Sequence, residues 1–242
     1  MRILGIDTAT LVCSVALVSE ETTLAEYTLH IKKTHSERLL PLIATMLSHG
    51  GLSPQELDGV AVAAGPGSFT GLRIGMVTAK TLGQALNLPL VGVSTLEALA
   101  AQHPLFPGLI CPILDARREQ VYNALFMPGI RPQRLSAERV LPLQELLAEL
   151  EVRPERILFV GDGVSLYQAA IKAQLGERVC FMPPEGSICR AAVVARLGLA
   201  EFALNRGLSW RELTPHYVRR SEAERKALPR GEEGGAVDVC DC

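Results

Sequence analysis

Ala64-Gly65-Pro66-Gly67-Ser68-Phe69-Thr70-Gly71-Leu72-Arg73-Ile74-Gly75 is the passage on which the reading of this chain turns. The apolar residues 60–64 before it read as a short buried strand, and the residues after it as a helix running to about Leu86, so the glycines occupy a strand-to-helix turn. Such a turn can aim backbone N–H groups and a helix N-terminus at an anion. No Lys-Ser or Lys-Thr follows Gly71, and the spacing is not G-x-G-x-x-G, so the phosphate signal is weak. Within the helix Gly71, Gly75 and Ala79 recur every four residues and leave one face almost bare. A bare face admits another backbone, either the chain's own sheet or a partner helix. Leu72, Ile74, Met76 and Val77 make the remaining faces apolar as well, which predicts burial on several sides.

Working outward, Arg2 to Asp7 is an apolar run ending in a carboxylate, residues 11–18 form a second apolar run after a short polar turn, and residues 22–30 alternate loosely. Thr34-x-x-Glu37 offers a capping box for a helix carrying Leu39, Leu40, Ile43, Met46 and Leu47, which Gly50 and Gly51 end and Pro41 kinks or delays. Residues 88–93 give a further strand, and Thr95 opens another helix. The order β-β-β-α-β-α-β-α resembles the ribonuclease-H-like fold.

The second half begins in the same way. Residues 6–17 lie without gaps over residues 114–125, each passage reading strand, Asp, turn, strand. This predicts an α/β, two-lobed, actin-like fold with an internal structural duplication. Residues 1–104 form the N-terminal lobe and residues 105–221 the C-terminal lobe, with the boundary in the Pro- and Gly-bearing residues 102–108. Residues 156–160 read as a strand ending in Gly161-Asp162-Gly163, and residues 191–204 as a helix. Residues 222–242, charged and poor in apolar side chains, are expected to be a disordered tail.

With 242 residues, 48% of them hydrophobic, the chain has ample material for real cores. Its 24 basic and 26 acidic residues leave a net charge of −2 with no dense basic block, so it lacks the footprint of a protein that grips nucleic acid alone. The absence of a long apolar run or a leader-like N-terminus predicts a cytoplasmic protein without a membrane span. Its six cysteines are expected to be reduced thiols, and Cys240-x-Cys242, with no matching pair, reads as no metal site.

Asp7 at a strand end, followed by Thr8 and Thr10, matches the way actin-like ATPases and sugar kinases hold a metal-bound phosphate. On spacing alone the competing reading, that Asp7 and Thr8 only close the hairpin, is favoured.

The passage from Ala64 to Gly75 resembles the signature of the TsaB (YeaZ) family almost letter for letter. Ile3-Leu-Gly-Ile-Asp-Thr-Ala-Thr10, His35-Ser-Glu-Arg-Leu-Leu-Pro41, Asp115-Ala-Arg-Arg-Glu119 onward to Tyr122, and Leu213 to Glu224 agree too, so the resemblance spans nearly the whole chain. It implies two actin-like lobes and a direct, non-catalytic partnership with the catalytic paralogue TsaD. TsaE joins the complex, and TsaC supplies the pathway. The assembly transfers a threonylcarbamoyl group to the adenosine 3′ of the anticodon in tRNAs reading codons that start with A. The chain then meets tRNA only through the complex, and a further reading is a homodimer through the first two N-lobe helices when it is alone. The resemblance places the partner interface on the first two N-lobe helices, at His35, Arg38, Leu39, Leu42, Ile43 and Met46, and at Leu72, Met76, Val77 and Lys80. Asp7, Thr8, Gly161 and Gly163 become a vestigial nucleotide site.

In the paralogue, a His-x-x-x-His on a helix binds metal through one face. Aligned with it, this chain carries Thr95 and Leu99, and Cys189 falls on a later metal-binding Asp. The expectation is therefore no catalytic residues, no metal and no cofactor. The competing reading is an autonomous ATP-dependent transferase or kinase, or a metalloprotease, of the actin-like superfamily.

Overall fold

The computed structural model describes residues 1–30 and 35–219. Thr34 of the expected capping box, the tail 222–242 and Cys240/Cys242 lie outside the described residues. The first half runs β1 (Arg2–Asp7), β2 (Val12–Ser19), β3 (Thr23–His30), α1 (His35–His49), β4 (Gly59–Gly65), α2 (Phe69–Leu86), β5 (Leu90–Ser94) and α3 (Thr95–Ala101). Its sheet has the order β3-β2-β1-β4-β5. The β1–β2 and β2–β3 pairs are antiparallel, while β1–β4 and β4–β5 are parallel. Pro41 does not delay α1, which begins at His35 and carries the proline on its exposed side.

The second half runs β6 (Leu109–Asp115), β7 (Gln120–Asn123), β8 (Phe126–Met127), β9 (Gln133–Arg134), β10 (Arg139–Pro142), α4 (Leu143–Glu151), β11 (Ile157–Val160), α5 (Gly163–Leu175), β12 (Val179–Phe181) and α6 (Ala191–Ala203). The sheet order β10-β7-β6-β11-β12 repeats the first position for position, with the same two antiparallel and two parallel pairs. The short β8–β9 ribbon is an addition, attached to β6. The duplication is therefore structural, but the ungapped superposition of the two hairpins is off by one residue. Asp7 pairs with Ser14 and Ile6 with Val15, whereas Asp115 pairs with Val121 and Leu114 with Tyr122. The second turn is one residue tighter.

Each sheet has helices on both sides, which explains why β1, β4 and β6 read as continuous apolar runs instead of alternating ones. Leu4, Ile6, Val60 and Val62 pack outward against Leu39, Ile43, Met46 and Ala79 of α1 and α2. Ile113, Ile157 and Phe159 pack in the equivalent way against Leu146, Leu147 and Ile171 of α4 and α5. Between the sheets lies one continuous core, where Ile3, Ala61 and Val93 meet Ile110, Leu114 and Val160 around Leu96 and Leu99 of α3 and Val194 and Ala195 of α6.

The strands divide between the sheets on either side of residues 102–108, but α6, assigned by sequence to the second lobe, lies on the first sheet. Small residues permit it: a Cβ on Gly5 would stand 2.2 Å from the Ala191 carbonyl oxygen, and one on Gly198 would stand 2.4 Å from the Ala61 Cβ. The 105–221 lobe is thus not a separate packing unit.

Gly5→Ala is expected to lower stability by about 3 kcal/mol, the upper end for forced overpacking. Gly51→Ala, at φ +64 with nothing within 4 Å of the new Cβ, should cost only about 1 kcal/mol of backbone strain. Urea denaturation compares the two, and equal midpoints would mean that α6 does not rest on β1 at this distance.

Candidate functional site

The C-terminal ends of β1 and β6 bring Asp7 and Asp115 to the seam between the sheets. Each carboxylate folds back on its own turn: Ala9 N–H donates to Asp7 Oδ1 at 3.1 Å, and Arg117 N–H to Asp115 Oδ1 at 2.9 Å. Asp7 is fully buried, and its Oδ2 has no hydrogen-bond partner at normal distance, although the Cys189 thiol beside it offers a weak donor. Burial, reinforced by the charge of Asp162, pushes the Asp7 carboxyl up to about 7. Asp162, which takes the Asp115 N–H at 3.0 Å, is raised by desolvation first and by Asp115 second. The structure thus unites Asp7 with Cys189 and Asp162. The sequence flagged Cys189 only as a lost metal ligand, and Asp162 only as the middle of Gly-Asp-Gly.

Thr8, also buried, donates to the Gly71 carbonyl at 2.8 Å. A Cβ on Gly71 would meet the Thr8 carbonyl oxygen at 2.1 Å, one on Gly75 the Thr8 Oγ1 at 2.5 Å, and one on Gly67 the Ala9 carbonyl oxygen at 2.4 Å. Ser68 N–H donates to the Ala9 carbonyl at 2.7 Å, while the Ser68 hydroxyl caps Gly71 N–H. The bare face of α2 is therefore filled by the chain's own β1–β2 turn. Neither a phosphate nor a partner helix has access to it. Gly161 and Gly163 do the same in the second half, where their α-carbons lie against the Ile113 carbonyl.

Thr95 and Leu99 both point into the central core at 0% exposure, and Thr95 Oγ1 has no partner there. Nearby, the buried Glu138 carboxylate accepts from the Ser94 hydroxyl, contacts His216 Nδ1 at 2.9 Å and pairs with Arg134 at 3.1 Å. This clamp ties the start of α3 to the second sheet and to the C-terminal segment, and Glu138 holds the His216 pKa above its ordinary value. Because the carboxylate stands between hydroxyl and imidazole, the histidine does not address the serine, and the trio is not arranged for hydroxyl activation. A cavity of about 300 Å³ beside β5 adjoins this clamp through Ser94 and is edged by Glu97 and by Glu201 with its partners Arg131 and Arg206.

The residues expected at a partner interface fall into three groups. Leu39, Ile43, Met46, Leu72 and Met76 are buried in the chain's own core, because an amphipathic helix turns its apolar stripe to its own sheet first. A partner cannot reach them in the folded protein. His35, Leu42 and Lys80 are half-buried. His35 Nε2 contacts the Thr10 carbonyl at 2.8 Å, and Lys80 donates to the Leu213 carbonyl at 3.0 Å. Arg38 and Val77 are exposed, and beside them the outer faces of α1 and α2 present Leu40, Pro41 and Ala44. Leu40 is one of the apolar residues assigned to this helix from sequence, and it was not among those expected at the interface. It is 55% exposed and Val77 62%.

The sequence model of the TsaD family, tRNA N6-adenosine threonylcarbamoyltransferase, matches residues 22–227. The chain is 39% identical over 228 residues to the tRNA threonylcarbamoyladenosine biosynthesis protein TsaB of Bacillus subtilis, covering 93% of this chain and 97% of that protein. Among solved structures it is similar to a Pseudomonas aeruginosa protein described as uncharacterized with similarity to peptidase YeaZ, with a TM-score of 0.78, 26% identity, and coverage of 90% and 99%. An activator of 2-hydroxyisocaproyl-CoA dehydratase from Clostridium difficile, solved with bound ADPNP, shares the fold alone, with a TM-score of 0.51, 11% identity, and coverage of 85% and 98%. No described helix is long and apolar enough to cross a membrane.

Asp7 makes a signed prediction. Its folded pKa of about 7 lies above the 3.8 of an exposed aspartate, so between these pH values the folded state holds a proton that the unfolded chain has released. Stability must therefore fall as the pH rises from about 4 to about 7 and then level off, with this group contributing roughly 4 kcal/mol at most. Asp7→Asn should match the wild type near pH 4 and be the more stable protein at pH 8 in melting experiments. A variant less stable at pH 8 would show that Asp7 is a stabilising charge instead.

Proposed function

The chain belongs to the TsaB family of tRNA threonylcarbamoyladenosine biosynthesis proteins, and from that membership we propose that it acts as the non-catalytic, direct partner of a TsaD-type transferase. The observation that carries the reading is the contrast between its two surfaces of interest. At the seam, where an actin-like enzyme would hold phosphate, Thr8 and Ala9 fill the glycine face of α2 and Asp7 is sealed in. On the outer side, Leu40, Pro41, Ala44 and Val77 lie uncovered between Arg38 and Arg73. Covering a fully exposed Leu or Val is worth about 1.5–3 kcal/mol each, so a matching pair of helices on a partner gains a docking core from few residues.

In this reading the same outer face supports a homodimer when the transferase is absent. A TsaE-type ATPase joins the complex, a TsaC-type synthase supplies the activated threonylcarbamoyl group, and the modified position is the adenosine 3′ of the anticodon in tRNAs reading codons that start with A. The setting is the cytoplasm.

An autonomous kinase, transferase or peptidase finds less support. Asp7 is inaccessible, Thr95 and Leu99 are not metal ligands, and the Ser94–Glu138–His216 order does not activate a hydroxyl.

Reconstitution tests the proposal. TsaC, TsaD and TsaE with tRNA, ATP, threonine and bicarbonate should modify tRNA only when this chain is added, and full activity without it would sink the idea. Val77→Glu should abolish co-purification with TsaD while leaving the melting temperature near that of the wild type. Met76→Glu, by contrast, should unfold the chain, because Met76 is a core residue.

A further inference from the structure

We propose that the turn between β6 and β7 is a contact for the sugar–phosphate backbone of tRNA, made by the guanidinium groups of Arg117 and Arg118 above Arg219. The inference rests on the reading of the chain as a subunit of a tRNA-modifying complex and adds a direct contact to it. Arg117, Arg118 and Glu119 have φ values of +62, +55 and +58, three consecutive side-chain-bearing residues in the left-handed region. That conformation is costly for them and almost free for glycine. Elsewhere in the left-handed region the chain uses glycine, at Gly51 and Gly176, or asparagine, at Asn87 and Asn205, whose short side chain tolerates it. A turn that needed only its backbone shape would be better served by glycine here too, so the gain lies in the side chains.

The strained shape is held from all sides. Arg117 N–H donates to Asp115 Oδ1 at 2.9 Å, Gln120 N–H to the Arg117 carbonyl at 3.1 Å, and Leu143 N–H to the Glu119 carbonyl at 2.9 Å. Arg219 Nη1 donates to the Ala116 carbonyl at 2.8 Å, which fixes a third guanidinium at the base of the turn. Arg117 and Arg118 are exposed, and among the described residues neither guanidinium has an ion pair or hydrogen bond. Asp115 and Asp162 accept from backbone amides, and Glu119, the third residue of the turn, is exposed and its carboxylate has no ion pair or hydrogen bond among the described residues, so two guanidinium groups stand against one carboxylate here.

Two residues before Arg219, Tyr217 stacks on Phe69 at 4.9 Å. Arg73 lies 3.9 Å above the Phe69 ring and donates to the Tyr217 hydroxyl at 3.2 Å. Arginine and aromatic side chains are the types that phosphates and unstacked bases engage. Planar guanidinium forks suit phosphate oxygens. With a net charge of −2 the chain contributes a few such contacts to a tRNA held mainly by its partner.

The test is a salt titration of tRNA binding by this chain assembled with a TsaD-type subunit, comparing the wild type with Arg117→Gln/Arg118→Gln, Arg117→Gly/Arg118→Gly and Arg117→Lys/Arg118→Lys. The Gln and Gly pairs should weaken binding about tenfold near physiological salt and flatten the slope of log affinity against log salt by about 1.5, whereas the Lys pair keeps the slope. The Gly pair should melt no lower than the wild type, so its loss of binding is not a loss of folding. All variants should pair with the transferase as before. An unchanged slope in the Gln and Gly pairs overturns the proposal, as does intact tRNA binding accompanied by lost binding of ATP. Failure of the wild-type chain to pair with the transferase is a failure of the partner reading, and the same titration on the chain alone at low salt then decides the tRNA contact.

Discussion

Gly5 has no Cβ, and the carbonyl of Ala191 stands where one would be. That close approach lets α6 cross from the second half of the sequence and lie on the first sheet. With α6 in place, Cys189 just before it reaches Asp7, the Arg190 guanidinium meets Glu26 on β3, and Ala191 N–H finds the Ser14 hydroxyl at 3.2 Å. Equivalent approaches at Gly71, Gly75, Gly161 and Gly163 seat α2 and the start of α5 on the strand ends. Remove the first of these and the interior loses the helix around which both sheets are packed.

The same approaches decide what the seam can do. In a fold that opens a phosphate site between its halves, a glycine loop would turn its N–H groups toward the ligand. Here Ser68 N–H goes to Ala9, and the helix start is capped from within. Asp7 is left with one satisfied oxygen in a fully buried place, and that burial pushes its carboxyl up to about 7. The side chains at the seam that could serve phosphate chemistry are engaged in packing and internal hydrogen bonds.

Much of this was legible in the sequence, for reasons that can be traced to particular residues. β1 and β4 are continuous apolar runs ended by Asp or Gly, so their existence and extent were plain, whereas β6 was read only as the strand before Asp115 through its match to the first hairpin. The tightened second hairpin was not, because nothing in Asp115-Ala-Arg-Arg-Glu119 announces three left-handed residues. Glycine is the usual signal for them, and the turn lacks it. The place of α6 was hidden because Ala and Gly on a helix mark close packing without naming the surface packed against. On α1, the apolar residues were legible as a set, but Leu39 and Leu40 are neighbours that point about 100° apart around the helix. Only the three-dimensional sheet shows that Leu39 is the one facing inward and Leu40 the one left exposed.

The packing between the sheets also fixes the mechanical character of the molecule. Enzymes that close on a ligand between two lobes need an interface that separates at modest cost. Here the space between the sheets is a continuous core in which Leu96, Leu99, Leu114, Val160 and Val194 touch across α3 and α6. Exposing five such side chains costs on the order of 10 kcal/mol at 1.5–3 kcal/mol each, as much as the whole stability of an ordinary domain. The Glu138 clamp adds a buried carboxylate that separation would strip of Ser94 and His216. A hinge at this seam would unfold the protein before it opened, so the chain presents its outer helices and its arginine turn in one fixed relation. Whatever docks on such a body meets a rigid surface.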